Sequence, residues 1–151
     1  MVIAVDFDGT IVEHAYPKIG RSIPFAIDVL KRLQQEERHT LLLWTVREGK
    51  LLDEAVDYCS KNGLNFYAIN KNHPDEEEGE APRKLVADLF IDDKNIGGLP
   101  DWGIIYKAIK SGSIDFSNID DYISDNNKPK PKKNLFIRIG EAWETAQGYK
   151  K

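Results

Sequence analysis

The sequence predicts a three-layer α/β fold with a mainly parallel central sheet. Three observations carry this. Four short apolar runs alternate with segments whose apolar residues recur at helical spacing. The runs are continuous rather than alternating with polar residues, as strands buried on both faces are. And 151 residues suit one domain with a real core, leaving little room for a second.

The elements follow in order. Val2-Ile3-Ala4-Val5 is largely β-branched and stops at Asp6-Phe7-Asp8-Gly9, the pattern of a buried strand ending in a loop. Pro24 to Glu37 carries Phe25, Val29, Leu30 and Leu33, with proline suited to a first turn, and so predicts a helix. Thr40 to Trp44 is a second strand. Glu48 to Asn62 predicts a helix whose core face is Leu51, Leu52, Ala55, Val56 and Cys59, stopped by Gly63. Asn65 to Ile69 is a third strand, followed by an acidic loop (Asn70 to Glu80) and a short helix around Arg83 to Ala87. Leu89-Phe90-Ile91 is the fourth strand and ends in Asp92-Asp93. Asp101 to Lys110 predicts a last helix, stopped near Gly112.

Composition narrows the function classes. Net charge is −4, from 21 basic and 25 acidic residues, which gives no reason to expect nucleic acid as a partner. The single cysteine, Cys59, has no internal disulfide partner and sits in an apolar helical series, so it reads as core in a reducing compartment. No stretch approaches the roughly 20 apolar residues of a membrane span. The first apolar run has no basic flank and meets aspartate early, unlike a signal peptide. The expected compartment is the cytoplasm.

In a parallel sheet, sites lie beyond the carboxyl ends of the strands. Asp6 and Asp8 follow the first strand, Thr45 the second, and Asp92 and Asp93 the fourth, so five polar residues from three strands are expected at one edge. Such carboxylates suit magnesium, a hard cation that takes oxygen ligands and usually keeps one or two carboxylates with water and substrate phosphate. Crowded carboxylates repel and hold together best around a divalent cation. An aspartate can then attack phosphorus covalently, and a second aspartate two positions on can move the protons. Thr45, at a strand-to-helix junction, offers a hydroxyl and a backbone N–H to an anion. Lys84 would bring a positive charge, and Gly9 would let the backbone pass close to a phosphate.

These residues match a known family. Val2-Ile-Ala-Val-Asp-Phe-Asp-Gly-Thr-Ile11 resembles the first motif of the haloacid dehalogenase-like (HAD) superfamily, and Leu41-Leu-Leu-Trp-Thr45 its second. Lys84 stands where the third motif has its basic residue. Asp88-Leu-Phe-Ile-Asp-Asp93 resembles the acidic fourth motif, in wording close to the 5'-deoxyribonucleotidases. The resemblance spans about residues 1 to 110 and implies a Rossmann-like HAD fold. It implies Asp6 as nucleophile and metal ligand, and Asp8 as general acid/base with its backbone carbonyl on the metal. It implies Thr45 and Lys84 on phosphate, Asp93 on magnesium and Asp92 behind it. The implied activity is that of a magnesium-dependent phosphomonoesterase working through an aspartyl-phosphate.

Neither Asp8 to Thr45 nor Thr45 to Lys84 is long enough for a full cap domain, so the chain looks like a minimal, capless member. That weakens the nucleotidase analogy, because those enzymes select substrate with a cap. The expected specificity elements are His14-Ala-Tyr-Pro-Lys18, Arg47 just after Thr45, and Asn70 to Glu80. His14 and His73 read as exposed loop residues.

The catalytic domain is expected at residues 1–112. A C-terminal extension at 113–151 would comprise a polar acidic segment, the linker Lys128-Pro-Lys-Pro-Lys-Lys133, and an apolar stretch (Leu135 to Trp143) able to dock on its own domain or a second copy. Two competing readings use the same residues: a catalytically idle HAD-like module for binding or assembly, and a phosphotransferase with an acceptor other than water. The complete set Asp6, Asp8, Thr45, Lys84 and Asp93 argues against the idle module.

Overall fold

The computed structural model describes residues 1–77 and 84–112, within a compact unit that runs from Met1 to Asp115. The strands are β1 (Val2–Val5), β2 (Thr40–Leu43), β3 (Ala68–Ile69) and β4 (Leu89–Ile91). The helices are α1 (Ala26–Gln35), α2 (Gly49–Lys61) and α3 (Trp102–Ser111). The strands form one sheet in the order β3-β2-β1-β4, and every pairing is parallel. This is an α/β fold with a parallel sheet flanked by helices, consistent with a Rossmann-like three-layer arrangement.

β1 is central because it is paired on both edges: Val5 is level with Leu43 on one side and with Ile91 on the other. Side chains alternate across the pleat, so the four residues of β1 serve two cores. Ile3 and Val5 join Leu41, Leu43 and Ile91 in the larger cluster, which α1, α2 and α3 cover with Leu30, Leu33, Ala55, Cys59, Trp102 and Ile105. Ala4 and Leu42 face the other way and pack with Ala68 and Leu85, flanked by Trp44, Ala87 and Phe90. Each fully buried Leu or Ile contributes roughly 1.5–3 kcal/mol of burial free energy, so the strand interiors hold the sheet edge rigid.

Right-handed crossovers account for this division. The steps β1 to β2 and β2 to β3 run in one direction across the sheet, which puts α1 and α2 on the same face. The step from β3 back to β4 runs the other way, so its connection covers the opposite face.

That connection departs from expectation. Residues 84–87 are not helical. Leu85 is buried while Val86 is 72% exposed, an extended alternation, and the Val86 N–H donates to Asn72 Oδ1 at 2.6 Å. An anchor on the preceding loop thus replaces the helical hydrogen bonds. α1 also begins later than its apolar pattern suggests. Phe25 caps it in the left-handed region at φ 66 and is 67% exposed, so Ala26 and Ile27 take the core positions assigned to it. β3 is shorter than Asn65 to Ile69. α2 and α3 lie within one residue of expectation, with Gly63 and Gly112 in the left-handed conformation just past or at their ends. The C-terminal extension at 113–151 and the remainder of the acidic loop lie outside the described residues. Among the described residues no helix is long and apolar enough to cross a membrane.

Candidate active site

Backbone pairing continues one residue past the strands. Asp6 N–H donates to Ile91 O, Trp44 N–H to Val5 O and Asn70 N–H to Leu43 O. The chain therefore delivers its first loop residues together at the carboxyl edge of the sheet. Residues at this edge line a cavity of about 330 Å³. Its polar wall is Asp6, Asp8, Thr45, Asp92 and Asp93, the five residues expected there, and it adds His14 and Lys94. Tyr16, Trp44 and Val46 give it an apolar side.

Carboxylate oxygens of Asp6, Asp92 and Asp93 all lie within 4.8 Å of one another. Burial pushes the Asp6 carboxyl up to about 6; a hydrogen bond from the Phe7 backbone opposes this, and the charges of Asp92, Asp93 and Asp8 add to it. Asp93 is opposite in sign. Burial raises it, but hydrogen bonds from Lys94 and His14 outweigh that and hold the carboxyl below its ordinary value. Its Oδ1 is buried and has no hydrogen-bond partner. An orphaned carboxylate oxygen inside an all-oxygen donor set fits a hard divalent cation of the magnesium type.

Asp8 is outside that trio because its side chain is spent elsewhere. Arg47 Nε donates to Asp8 Oδ2 at 2.6 Å and Arg47 Nη2 to Oδ1 at 2.7 Å. Arg47 has no solvent exposure, and two further donors meet the carbonyls of Pro17 (3.0 Å) and Lys18 (2.9 Å). The guanidinium carbon lies 5.1 Å from the Phe7 ring centroid and 5.4 Å from that of Tyr16. Arg47 is thus a buried clamp that joins Asp8 to the loop carrying Tyr16, not the substrate contact its place beside Thr45 suggested. The loop closes on itself through Glu13 N–H to Arg21 O and Ile23 N–H to Ile11 O, which makes a fixed wall.

Thr45 lines the cavity, but its backbone N–H is already given to Asn70 Oδ1 at 2.8 Å. Its hydroxyl oxygen accepts from Arg47 N–H at 3.3 Å, which leaves the hydroxyl proton to donate. Asn70 sits at φ 52, a conformation asparagine tolerates better than most residues, and it is a positioning residue that spacing did not reveal. Gly9 leaves room for two close neighbours. Its φ is +90, and an added Cβ would stand 2.4 Å from His14 Nε2 and 2.7 Å from Asp93 Cγ. Thr10, fully buried, accepts from the Asp93 N–H at its Oγ1 (3.1 Å) and from Trp102 Nε1 at its carbonyl (3.2 Å), tying the first loop to the fourth strand and α3.

Lys84 is not at the cavity. Its Nζ lies 5.1 Å from the Phe90 ring centroid, on the sheet face that Leu85 covers. The cation at the cavity is Lys94, whose Nζ lies 2.8 Å from Asp93 Oδ2 and 2.9 Å from His14 Nε2. His14 Nε2 is also 2.9 Å from Asp93 Oδ2; one nitrogen serves either the carboxylate as donor or the ammonium as acceptor, not both. His14, read as an exposed loop residue, therefore belongs to the site. Of the acidic loop, Glu76 is used internally, accepting from the Asn72 N–H at 2.6 Å. Cys59 is core: burial pushes its thiol up to about 12.

No family model and no curated protein matches the chain. Among solved structures it is similar to a conserved protein from Bacteroides thetaiotaomicron, with 62% identity and a TM-score of 0.72 over 79% of this chain and 96% of that one. The two belong to one family. The likeness carries the fold; the chemistry has to be argued from the side chains.

Proposed function

We propose that the protein is a magnesium-dependent phosphomonoesterase with Asp6 as its nucleophile. The observation that carries this is the convergence of Asp6, Asp92 and Asp93 oxygens within 4.8 Å at the end of a parallel sheet, with Asp93 carrying an orphaned oxygen. Asp6, Asp92 and Asp93 would hold the ion. When bound, magnesium supplies charge neutralisation for the carboxylates and the developing phosphoryl charge.

The chain's own residues do the rest. An Asp6 oxygen forms a bond to phosphorus as the ester P–O bond breaks, and the alcohol oxygen leaves with that electron pair and takes up a proton. Water then attacks phosphorus, Asp8 accepts its proton, and the bond from phosphorus to Asp6 breaks to give inorganic phosphate. Arg47 aims Asp8, and the bidentate pair must loosen for Asp8 to hand a proton to the leaving oxygen. The Thr45 hydroxyl donates to a phosphoryl oxygen. Tyr16, Trp44 and Val46 form the apolar surface on which the ester's organic part would rest, in place of a cap.

A panel of phosphate esters (nucleotides, sugar phosphates, a phosphopeptide, an aryl phosphate) assayed with magnesium, with chelator and with Asp6→Asn tests the reading. Magnesium-dependent release of phosphate that Asp6→Asn abolishes is expected. Turnover that survives Asp6→Asn removes the nucleophile, and absence of turnover on every ester favours a binding or assembly module.

A further inference from the structure

We infer that Lys94, held by His14 and Asp93, is the residue that binds the substrate's phosphate by charge, in place of Lys84. The inference rests on the phosphomonoesterase reading for its substrate, but its test does not depend on turnover.

A phosphate dianion entering this cavity meets four carboxylates, Asp6, Asp8, Asp92 and Asp93. Arg47 offsets Asp8, but Asp6, Asp92 and Asp93 carry more negative charge than one divalent ion would cancel, so a protein cation is needed to favour the approach of a dianion. Three described cations come into question. Arg47 is fully buried, and four of its five N–H donors are committed to Asp8, Pro17 and Lys18. Lys84 sits over Phe90 and does not line the cavity. Lys94 does line it.

The Lys94 side chain is 69% exposed while its Asp93 partner is 16% exposed, so the ammonium stands at the boundary between the acidic cluster and solvent. An ammonium has three N–H donors. Asp93 Oδ2 at 2.8 Å takes one, and His14 Nε2 at 2.9 Å takes a second when that nitrogen is the acceptor, so at least one is left for an incoming oxygen. His14 acts on the anion through Lys94, as a positioning residue, and the space it needs is the space Gly9 leaves open.

The test is calorimetric binding of inorganic phosphate, in magnesium buffer, to the full chain and to Lys94→Met, Lys94→Arg, Lys84→Met and His14→Gln. Removing a charged hydrogen bond to phosphate should weaken binding about ten- to hundredfold in Lys94→Met. Lys94→Arg should recover most of it, Lys84→Met should match the parent, and His14→Gln should fall between. On any ester the protein turns over, Lys94→Met should raise KM more than it lowers kcat. Phosphate binding unchanged in Lys94→Met overturns the inference, as does a loss in Lys84→Met instead. Lys94→Met that only tightens magnesium binding would reduce Lys94 to a counter-ion for Asp93. A protein that binds phosphate through Lys94 yet hydrolyses no ester sinks the phosphomonoesterase reading and leaves this one standing.

Discussion

Replacing Asp6 by asparagine is expected to stabilise the metal-free protein and, on the proposed function, to abolish phosphate release. Asp6 sits at about 6 against an ordinary 3.8, a gap equivalent to roughly 3 kcal/mol. Partial solvent access screens some of this, so about 1–2 kcal/mol is the expected effect. The sign follows from proton binding. The folded protein holds the Asp6 proton more tightly than the unfolded chain, so this group's favourable contribution is full below 3.8 and is lost as pH rises through about 6. Above that, burial disfavours the ionised Asp6 carboxylate, and the charges of Asp92, Asp93 and Asp8 add to the cost. Asparagine keeps an oxygen for the Phe7 N–H but carries no charge. Urea melts of both proteins in chelator should therefore diverge between pH 4.5 and 7.5, reaching about 1–2 kcal/mol, or several degrees in Tm. Magnesium should then stabilise the parent, by about 2.7 kcal/mol at a hundredfold excess over Kd, and do so less for Asp6→Asn. Asp6→Asn that is no more stable than the parent at neutral pH, or a gap that does not vary with pH, would refute the argument that burial and neighbouring charge disfavour an ionised Asp6.

Arg47→Met should cost about 3–5 kcal/mol, since it strands a buried carboxylate on Asp8; adding Asp8→Asn should recover part of that in denaturant melts, and a single-variant cost under about 1 kcal/mol would contradict the clamp. Gly9→Ala should lower stability by about 1–3 kcal/mol through strain at φ +90 and, by displacing His14 and Asp93, weaken magnesium binding in a titration. Cys59, buried with a thiol near 12, should resist alkylation in the folded protein at pH 8 and react fully in denaturant; prompt native labelling would show that α2 opens.

Much of the site was legible because its placement is local. Asp6, Asp92 and Thr45 stand directly after apolar runs that can only be buried strands, so their arrival at one edge needs no knowledge of which loops meet. The short helix expected at residues 83–87 was not legible, since Leu85-Val86-Ala87 adopts its alternation only because Asn72, on another loop, holds the Val86 N–H. His14 looked like an ordinary loop histidine for the same reason: its partners, Asp93 and Lys94, are 79 and 80 residues away.

The amino-acid sequence by itself determined the parallel sheet, its carboxyl edge and the acidic residues that gather there, because hydrophobic period and strand ends are written in neighbouring residues. Only the tertiary structure decided what each charged side chain does. It made Arg47 a clamp for Asp8, moved Lys84 onto Phe90 and brought Lys94 to the carboxylates. The physical reason is that a charge finds its partner through space, across loops whose approach is set by the packing of Thr10, Trp102 and the strands beneath them.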